Sequence, residues 1–263
     1  MKMNDSNQPK IEIDSGALDY RIYVHENFSK SDFDGWVLKN LNLSTGMSVL
    51  DVGCGTGKHL FDISDTVGSA GSVVGADISD ESLKKCADKI KERNAANISL
   101  VKADLTEISE KVFTGPFDRV LSSFAIYYTK EPRKTFRDLH AQLKPGGRLF
   151  ICGPTAKNNM EFLDLVKQAG GSFSEDFLRW SYFLEHDAVP MLKKEFGNVE
   201  VQYFNNPIEF PDADVLLKYW KATPLYKESL ENKMNELTAE IFKNSATFTS
   251  NKVIIGITCN KTS

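Results

Sequence analysis

The chain has 263 residues, 41% hydrophobic and 26% charged, an ordinary balance for a globular protein with one large core and room for a smaller lobe. Its formal net charge of -4 gives no electrostatic grip on a phosphate backbone, so nucleic acid is not an expected partner. No run approaches the roughly 18 apolar residues of a membrane span, and the opening MKMNDSNQPK has no apolar stretch behind its charges, so a cytoplasmic protein without leader or anchor is expected.

Taken in chain order, residues 1–46 read as a helical entry or cap carrying Tyr20, Tyr23, His25, Phe28 and Trp36. From residue 47, short apolar or β-branched runs alternate with amphipathic stretches, the pattern of βαβ units and hence of a parallel sheet covered by helices. Strands are predicted at 48–52, 72–77, 98–103, 117–122 and 148–152. Ser79 caps a helix in which Leu83, Ala87 and Ile90 share one face, with Glu81 and Lys85 paired on the surface. Phe136, Leu139 and Leu143 repeat that pattern before Lys144-Pro145-Gly146-Gly147 turns the chain into the fifth strand. Helices are then predicted at 158–169 and 175–196, a strand at 199–204, a mixed aromatic stretch to Tyr226, one more helix, and a last strand at 252–259. Cys54, Cys86, Cys152 and Cys259 lie far apart with no C-x-x-C pair, which suits reduced thiols better than a disulfide framework or zinc site. Cys152 and Cys259 read as strand packing residues, and no metal is expected.

The densest chemical signal is Val49-Leu50-Asp51-Val52-Gly53-Cys54-Gly55-Thr56-Gly57, a buried strand entering a glycine loop and then a helix from near Lys58. Closely spaced glycines let a ligand approach the backbone, and N–H groups at a helix start bind carboxylate or phosphate. A dinucleotide loop also uses glycines here, but its G-x-G-x-x-G spacing needs glycine where Lys58 stands. With Asp51 just ahead of the glycines, the segment resembles the first motif of the class I S-adenosylmethionine-dependent methyltransferase family, in its small-molecule branch. The resemblance covers residues 47–154 and implies that Gly53, Cys54, Gly55 and Gly57 hold the methionine part of the cofactor while Asp51 orients its ammonium group. Asp77 ends the second strand about 20 residues past the last glycine, where a carboxylate accepts both ribose hydroxyls. The family assigns that role to the equivalent acid, with Ile78 beside the adenine. Asp104 alone reads as a cap, whereas the resemblance makes it the adenine-binding acid, with the Leu105 N–H reaching the ring. The segment Phe117 to Phe124 resembles the fourth motif, which would bring Ser122 beneath the sulfonium; it lacks the N-P-P-Y form of amide and adenine N-methyltransferases. Of Tyr127 and Tyr128, one is expected in the core and the other facing the acceptor.

The implied fold is α/β, a Rossmann-like doubly wound seven-stranded sheet with an antiparallel last strand and helical lid insertions. Its expected parts are the entry at 1–46, the cofactor-binding core at 47–154, helices with the sixth strand and a substrate lid at 155–250, and the final strand at 251–263. Residues 206–211, 215–220 and 223–226 are assigned to the lid, where Tyr219 and Trp220 are either substrate contacts or lid core, and Tyr20 is a further candidate contact. Methyl transfer from a sulfonium needs alignment and water exclusion, with a base where the acceptor carries a proton. His25 is the candidate base; His59 and His140 read as surface or packing residues, and His186 as a weaker alternative. The expected function is methyl transfer from S-adenosylmethionine to an O or N atom of a small molecule, leaving S-adenosylhomocysteine. The alternatives are a nicotinamide-dependent oxidoreductase, disfavoured by Lys58, and a non-catalytic S-adenosylmethionine-binding module acting through a protein partner.

Overall fold

The protein is described here from a computed structural model covering residues 15–112 and 114–262; the first 14 positions of the expected entry segment lie outside the described residues. Two helices come first, α1 (Ser15–Phe28) and α2 (Phe33–Leu41), the second capped by the Asp32 side chain on the Gly35 N–H. The alternating part follows as β1 (Ser48–Val52), α3 (Leu60–Val67), β2 (Ser72–Asp77), α4 (Asp80–Arg93), β3 (Ile98–Lys102), α5 (Ile108–Lys111), β4 (Phe117–Ser123), α6 (Pro132–Ala141) and β5 (Leu143–Pro154). Ser79 caps α4 as expected, accepting from the Ser82 N–H. Then come α7 (Met160–Gln168), α8 (Glu175–Phe183), α9 (Val189–Phe196), β6 (Val199–Phe210), α10 (Ala213–Lys221), α11 (Glu231–Asn244) and β7 (Phe248–Asn260). The strands make one seven-stranded sheet in the order β3-β2-β1-β4-β5-β7-β6, parallel from β3 to β5, with β7 antiparallel to both its neighbours.

Three apolar clusters hold the layers. One face of the sheet packs on α5, α6, α8 and α9 through residues such as Val120, Phe136, Phe183 and Leu192. The opposite face packs on α2, α3 and α4 through Val37, Leu60, Ile63 and Cys86. The third cluster joins α1, α7, α10 and α11 to the far end of β6 through Val24, Phe162, Phe210, Trp220 and Met234. All four cysteines are buried and free. No helix among the described residues is long and apolar enough to cross a membrane.

Four local expectations are corrected. Leu143 does not continue a helix face: it opens β5 opposite Phe117, and 144–147 form a wide bulge before Arg148 pairs with Arg119. Gly146 takes φ +73° there, the conformation expected of it. The run at 175–196 is broken by a π-turn at Leu184–Ala188, directly before the first turn of α9, where Pro190 has no N–H to donate. Residues 206–210 are not lid but the continuation of β6, because Asn206, Ile208 and Phe210 alternate inward with strand period. Pro207 is tolerated since β6 is the edge strand. β7 correspondingly begins at Phe248.

Candidate functional site

The site forms beyond the carboxyl ends of β1, β2 and β4, where open α/β sheets bind ligands. β1 delivers Asp51, 2% exposed, and breaks into the glycine loop. Gly53 has φ +78°, and a Cβ there would lie 2.1 Å from Ala125 Cβ, so only glycine lets the loop close against the segment after β4. The Gly53 and Cys54 N–H groups donate to the Ala76 carbonyl at 2.7 and 3.1 Å, and the Gly55 N–H donates to Asp77 Oδ2 at 2.8 Å. Asp77 is thereby fixed from both sides, its Oδ1 accepting from the Ser79 N–H at 2.9 Å. The chain stays in a turn through Gly57, where a Cβ would lie 2.6 Å from Cys86 Sγ, and α3 starts at Leu60, two residues later than expected.

Asp51 is the anomaly of this loop. Its buried Oδ1 has no hydrogen-bond partner, and burial, with Asp77 adding like charge, pushes its carboxyl up to about 8. Among the described residues nothing donates to that oxygen, and a ligand ammonium is a cation that would pair with the ionised carboxyl. Ile78, 41% exposed, offers a flat apolar contact beside Asp77. Asp104 Oδ1 accepts from Thr106 N at 2.9 Å and Thr106 Oγ1 at 2.7 Å, the capping arrangement read for it on its own, and Leu105 packs partly into the adjoining cluster. Ser122 does not reach the site: it is 0% exposed and its hydroxyl donates to the Val52 carbonyl at 3.0 Å, tying β4 to β1. The segment α1 lies over the loop, with Leu18 beside Gly55 and Asp19 accepting from Thr56 Oγ1 at 3.2 Å and Lys85 Nζ at 3.0 Å.

Next to the loop, a second group gathers at the ends of β4, β5 and β7. Lys252 Nζ lies 3.0 Å from His25 Nε2 and 4.6 Å from the centroid of the Phe124 ring. Burial first, then the charges of Arg21 and Lys58, pulls Lys252 down to about 7. His25 is held well below the ordinary imidazole value by burial, then by Lys252, Lys58 and Arg21, and its buried Nδ1 has no partner. While Lys252 is an ammonium it has only donors, so His25 Nε2 must accept from it, which leaves Nδ1–H as a donor and removes the lone pair a base would use. His59 is buried rather than on the surface, with Nε2 3.2 Å from Ser123 Oγ and Nδ1 3.6 Å from Asp34 Oδ1; burial lowers it to about 4, with Asp34 opposing. Ser123 Oγ in turn lies 3.4 Å from Cys152 Sγ, and burial raises that thiol to about 12.

The remaining aromatic candidates are dispersed. Tyr20 packs toward α10 and the third cluster, 5.7 Å from the Tyr23 ring. Tyr219 is enclosed by Phe162, Phe210 and the His25 ring, and Trp220, 0% exposed, donates its indole N–H to the Leu225 carbonyl at 3.3 Å. Trp220 is thus core of the third cluster, not a substrate contact. Tyr127 packs against the first cluster and Gly153, while Tyr128 meets Trp180 edge-on at 4.9 Å. His140 packs on Phe196, and His186 is exposed in a surface groove with Arg133 and Lys194, so neither belongs to this group. Lys252 and Asp34 were not anticipated. A lysine directly ahead of the apolar run from Val253 was the available signal for Lys252.

Residues 43–203 match the family model described as methyltransferase domain. The chain is 31% identical over 183 residues to a demethylmenaquinone methyltransferase of Lactococcus lactis subsp. lactis, a match covering 68% of this chain and 66% of that protein, just under two thirds of its length. It is 30% identical over 187 residues to a demethylmenaquinone methyltransferase of a Geobacillus species, covering 70% and 73%. The fold is shared with the YcgJ protein of Bacillus subtilis, at TM-score 0.63, 17% identity and 88% and 98% coverage of the two chains. It is shared also with phosphoethanolamine N-methyltransferase 2 of Haemonchus contortus, solved in complex with S-adenosyl-L-methionine, at TM-score 0.61, 18% identity, and 95% and 57% coverage.

Proposed function

This chain belongs to the class I S-adenosylmethionine-dependent methyltransferase family, and from that premise we propose that it transfers a methyl group to an oxygen or nitrogen atom of a small-molecule acceptor seated between the glycine loop and Lys252. The observation that carries this reading is the unpartnered, buried Asp51 Oδ1 at the mouth of the loop, which fits the ammonium of the cofactor's methionine part. Asp77, steadied by the Gly55 and Ser79 N–H groups, keeps lone pairs for the ribose hydroxyls, with Ile78 against the adenine and Asp104 at its edge. When bound, S-adenosylmethionine supplies a methyl group on a sulfonium, whose departure requires no acid. The chain's own work is then to align and to exclude water: α1 covers the loop through Leu18 and Asp19, and Phe124 and Ala125 wall the acceptor side. In this reading His25 positions Lys252 and does not act as the base. A small-molecule acceptor is supported by the relatives' printed names, demethylmenaquinone methyltransferase.

The test is calorimetry and thermal unfolding with S-adenosylhomocysteine and with NAD, then transfer of labelled methyl from S-adenosylmethionine into a bacterial small-molecule extract. S-adenosylhomocysteine at a hundredfold excess over its Kd is expected to stabilise the fold by about 2.7 kcal/mol, with NAD inert and label appearing in a small molecule. Stabilisation by NAD alone rejects the cofactor assignment. Binding without any transfer favours the non-catalytic module.

A further inference from the structure

Lys252, whose head group is an ammonium below about pH 7, has no carboxylate set against it among the described residues. The charged groups acting on it are Arg21 of α1, Lys58 of the glycine loop and the Cys152 thiol of β5, two cations and a neutral group. Among the described residues Asp34 and Glu26 are turned to other cations: Asp34 Oδ2 and Glu26 lie 3.0 and 3.6 Å from Lys58, and Asp34 Oδ1, itself without a hydrogen bond, faces His59 Nδ1 at 3.6 Å. Among the described residues the polar group set against Lys252 Nζ is His25 Nε2, and the Phe124 ring lies at its side. A buried cation is normally retained only where something pairs with it.

A second observation points the same way. His25 Nδ1, buried and without a partner, is a further donor in the same cluster, and among the described residues no carboxylate is set against either His25 or Lys252. A third fixes the location. Phe124 holds a left-handed φ of +54° at the end of β4, which sets its ring on Lys252 while the next residue, Ala125, closes over Gly53. The unanswered cation is therefore one residue removed from the loop assigned to the methyl donor.

We propose that the methyl acceptor is an organic anion, a small molecule carrying a carboxylate or ionised hydroxyl, whose negative oxygen pairs with Lys252 and is flanked by His25. This rests on the methyltransferase reading and adds the acceptor's charge to it. A cationic acceptor would be repelled by Lys252, and an uncharged one would leave its ammonium without a counter-charge and so favour the neutral amine.

The experiment separates a bacterial small-molecule extract on an anion exchanger before reaction, then offers each fraction to the full chain with methyl-labelled S-adenosylmethionine. Acceptor activity is expected in the retained, anionic fraction. In that fraction Lys252→Gln is expected to raise the apparent KM tenfold or more with S-adenosylhomocysteine affinity within twofold of the parent, and Lys252→Arg to stay within a few-fold. Activity confined to the flow-through, or an unchanged KM in Lys252→Gln, overturns the inference while leaving the methyltransferase reading intact. No transfer in any fraction, with S-adenosylhomocysteine bound, rejects that reading and this one together.

Discussion

Asp51 combines three properties that rarely coexist: full burial, a like charge nearby in Asp77, and an oxygen with no partner. Without ligand its carboxyl titrates near 8, so at neutral pH it is largely protonated, and a cationic ligand must displace that proton. Binding of a ligand ammonium favours the ionised form and therefore draws the pKa down. Affinity then rises with pH until the free carboxyl is ionised on its own. S-adenosylhomocysteine affinity measured by calorimetry is accordingly expected to rise between pH 6 and 8, by up to tenfold per unit, and to level off above. Asp51→Asn should bind weakly and without that slope. A parallel slope in the variant would assign the titration elsewhere. Ser122 makes the opposite point at this scale: one position along the chain separates a side chain in the sheet core, Ser122, from one facing the cluster, Ser123, since successive strand residues point to opposite faces.

Among the elements, the third cluster shows why the flanks were harder to read than the core. α10 presents Leu216, Tyr219 and Trp220 to α1, α7, α11 and the end of β6, contacts that exist only once distant segments meet. Trp220 has no exposed surface, so truncating it leaves a large cavity within this layer and not within the glycine loop. Trp220→Ala is expected to cost about 3–5 kcal/mol in urea unfolding, with S-adenosylhomocysteine affinity, measured well below the transition, changed less than threefold. Lost affinity at retained stability would return Trp220 to the ligand site. The central strands were legible because each is a short apolar run bounded by turn residues, and Asp51, the glycines and Asp77 because their spacing is set by backbone geometry alone. β6 was cut short for a local reason: Asn206-Pro207 reads as a loop until the edge position, known only from the sheet order, makes proline harmless. A lysine at a strand start is ordinarily solvated, and Lys252 is enclosed where His25 of α1 and the Phe124 ring beyond β4 meet it.

Across the whole molecule, one polar cluster stands out at the carboxyl end of the sheet. Asp51, His59, Ser123, Cys152, Lys252 and His25 come from β1, the loop before α3, β4, β5, β7 and α1, none of which contains the cluster alone. Such a concentration costs stability in the ligand-free chain, and the cost has a pH signature. Lys252 titrates near 7 when folded against 10.5 in an ordinary setting. Between these values the unfolded chain holds a proton that the folded chain has released, so Lys252 adds stability as pH rises through this window. Below 7 both states are protonated and the full cost of the buried charge is felt. Lys252→Met, which keeps the apolar stem and removes the charge, should therefore be more stable than the parent at pH 6. That advantage should be constant below pH 7 and shrink by up to about 1.4 kcal/mol per unit above it, read from urea unfolding at pH 6, 7, 8 and 9 without ligand. Asp51 and His59 are present in both chains, so their titrations largely cancel in the difference, whereas His25 loses the Lys252 charge that helps hold it low, an effect confined to the acid side of the series. An advantage that does not change with pH would mean that Lys252 stays charged throughout, its cost met by solvent or by a group outside this cluster.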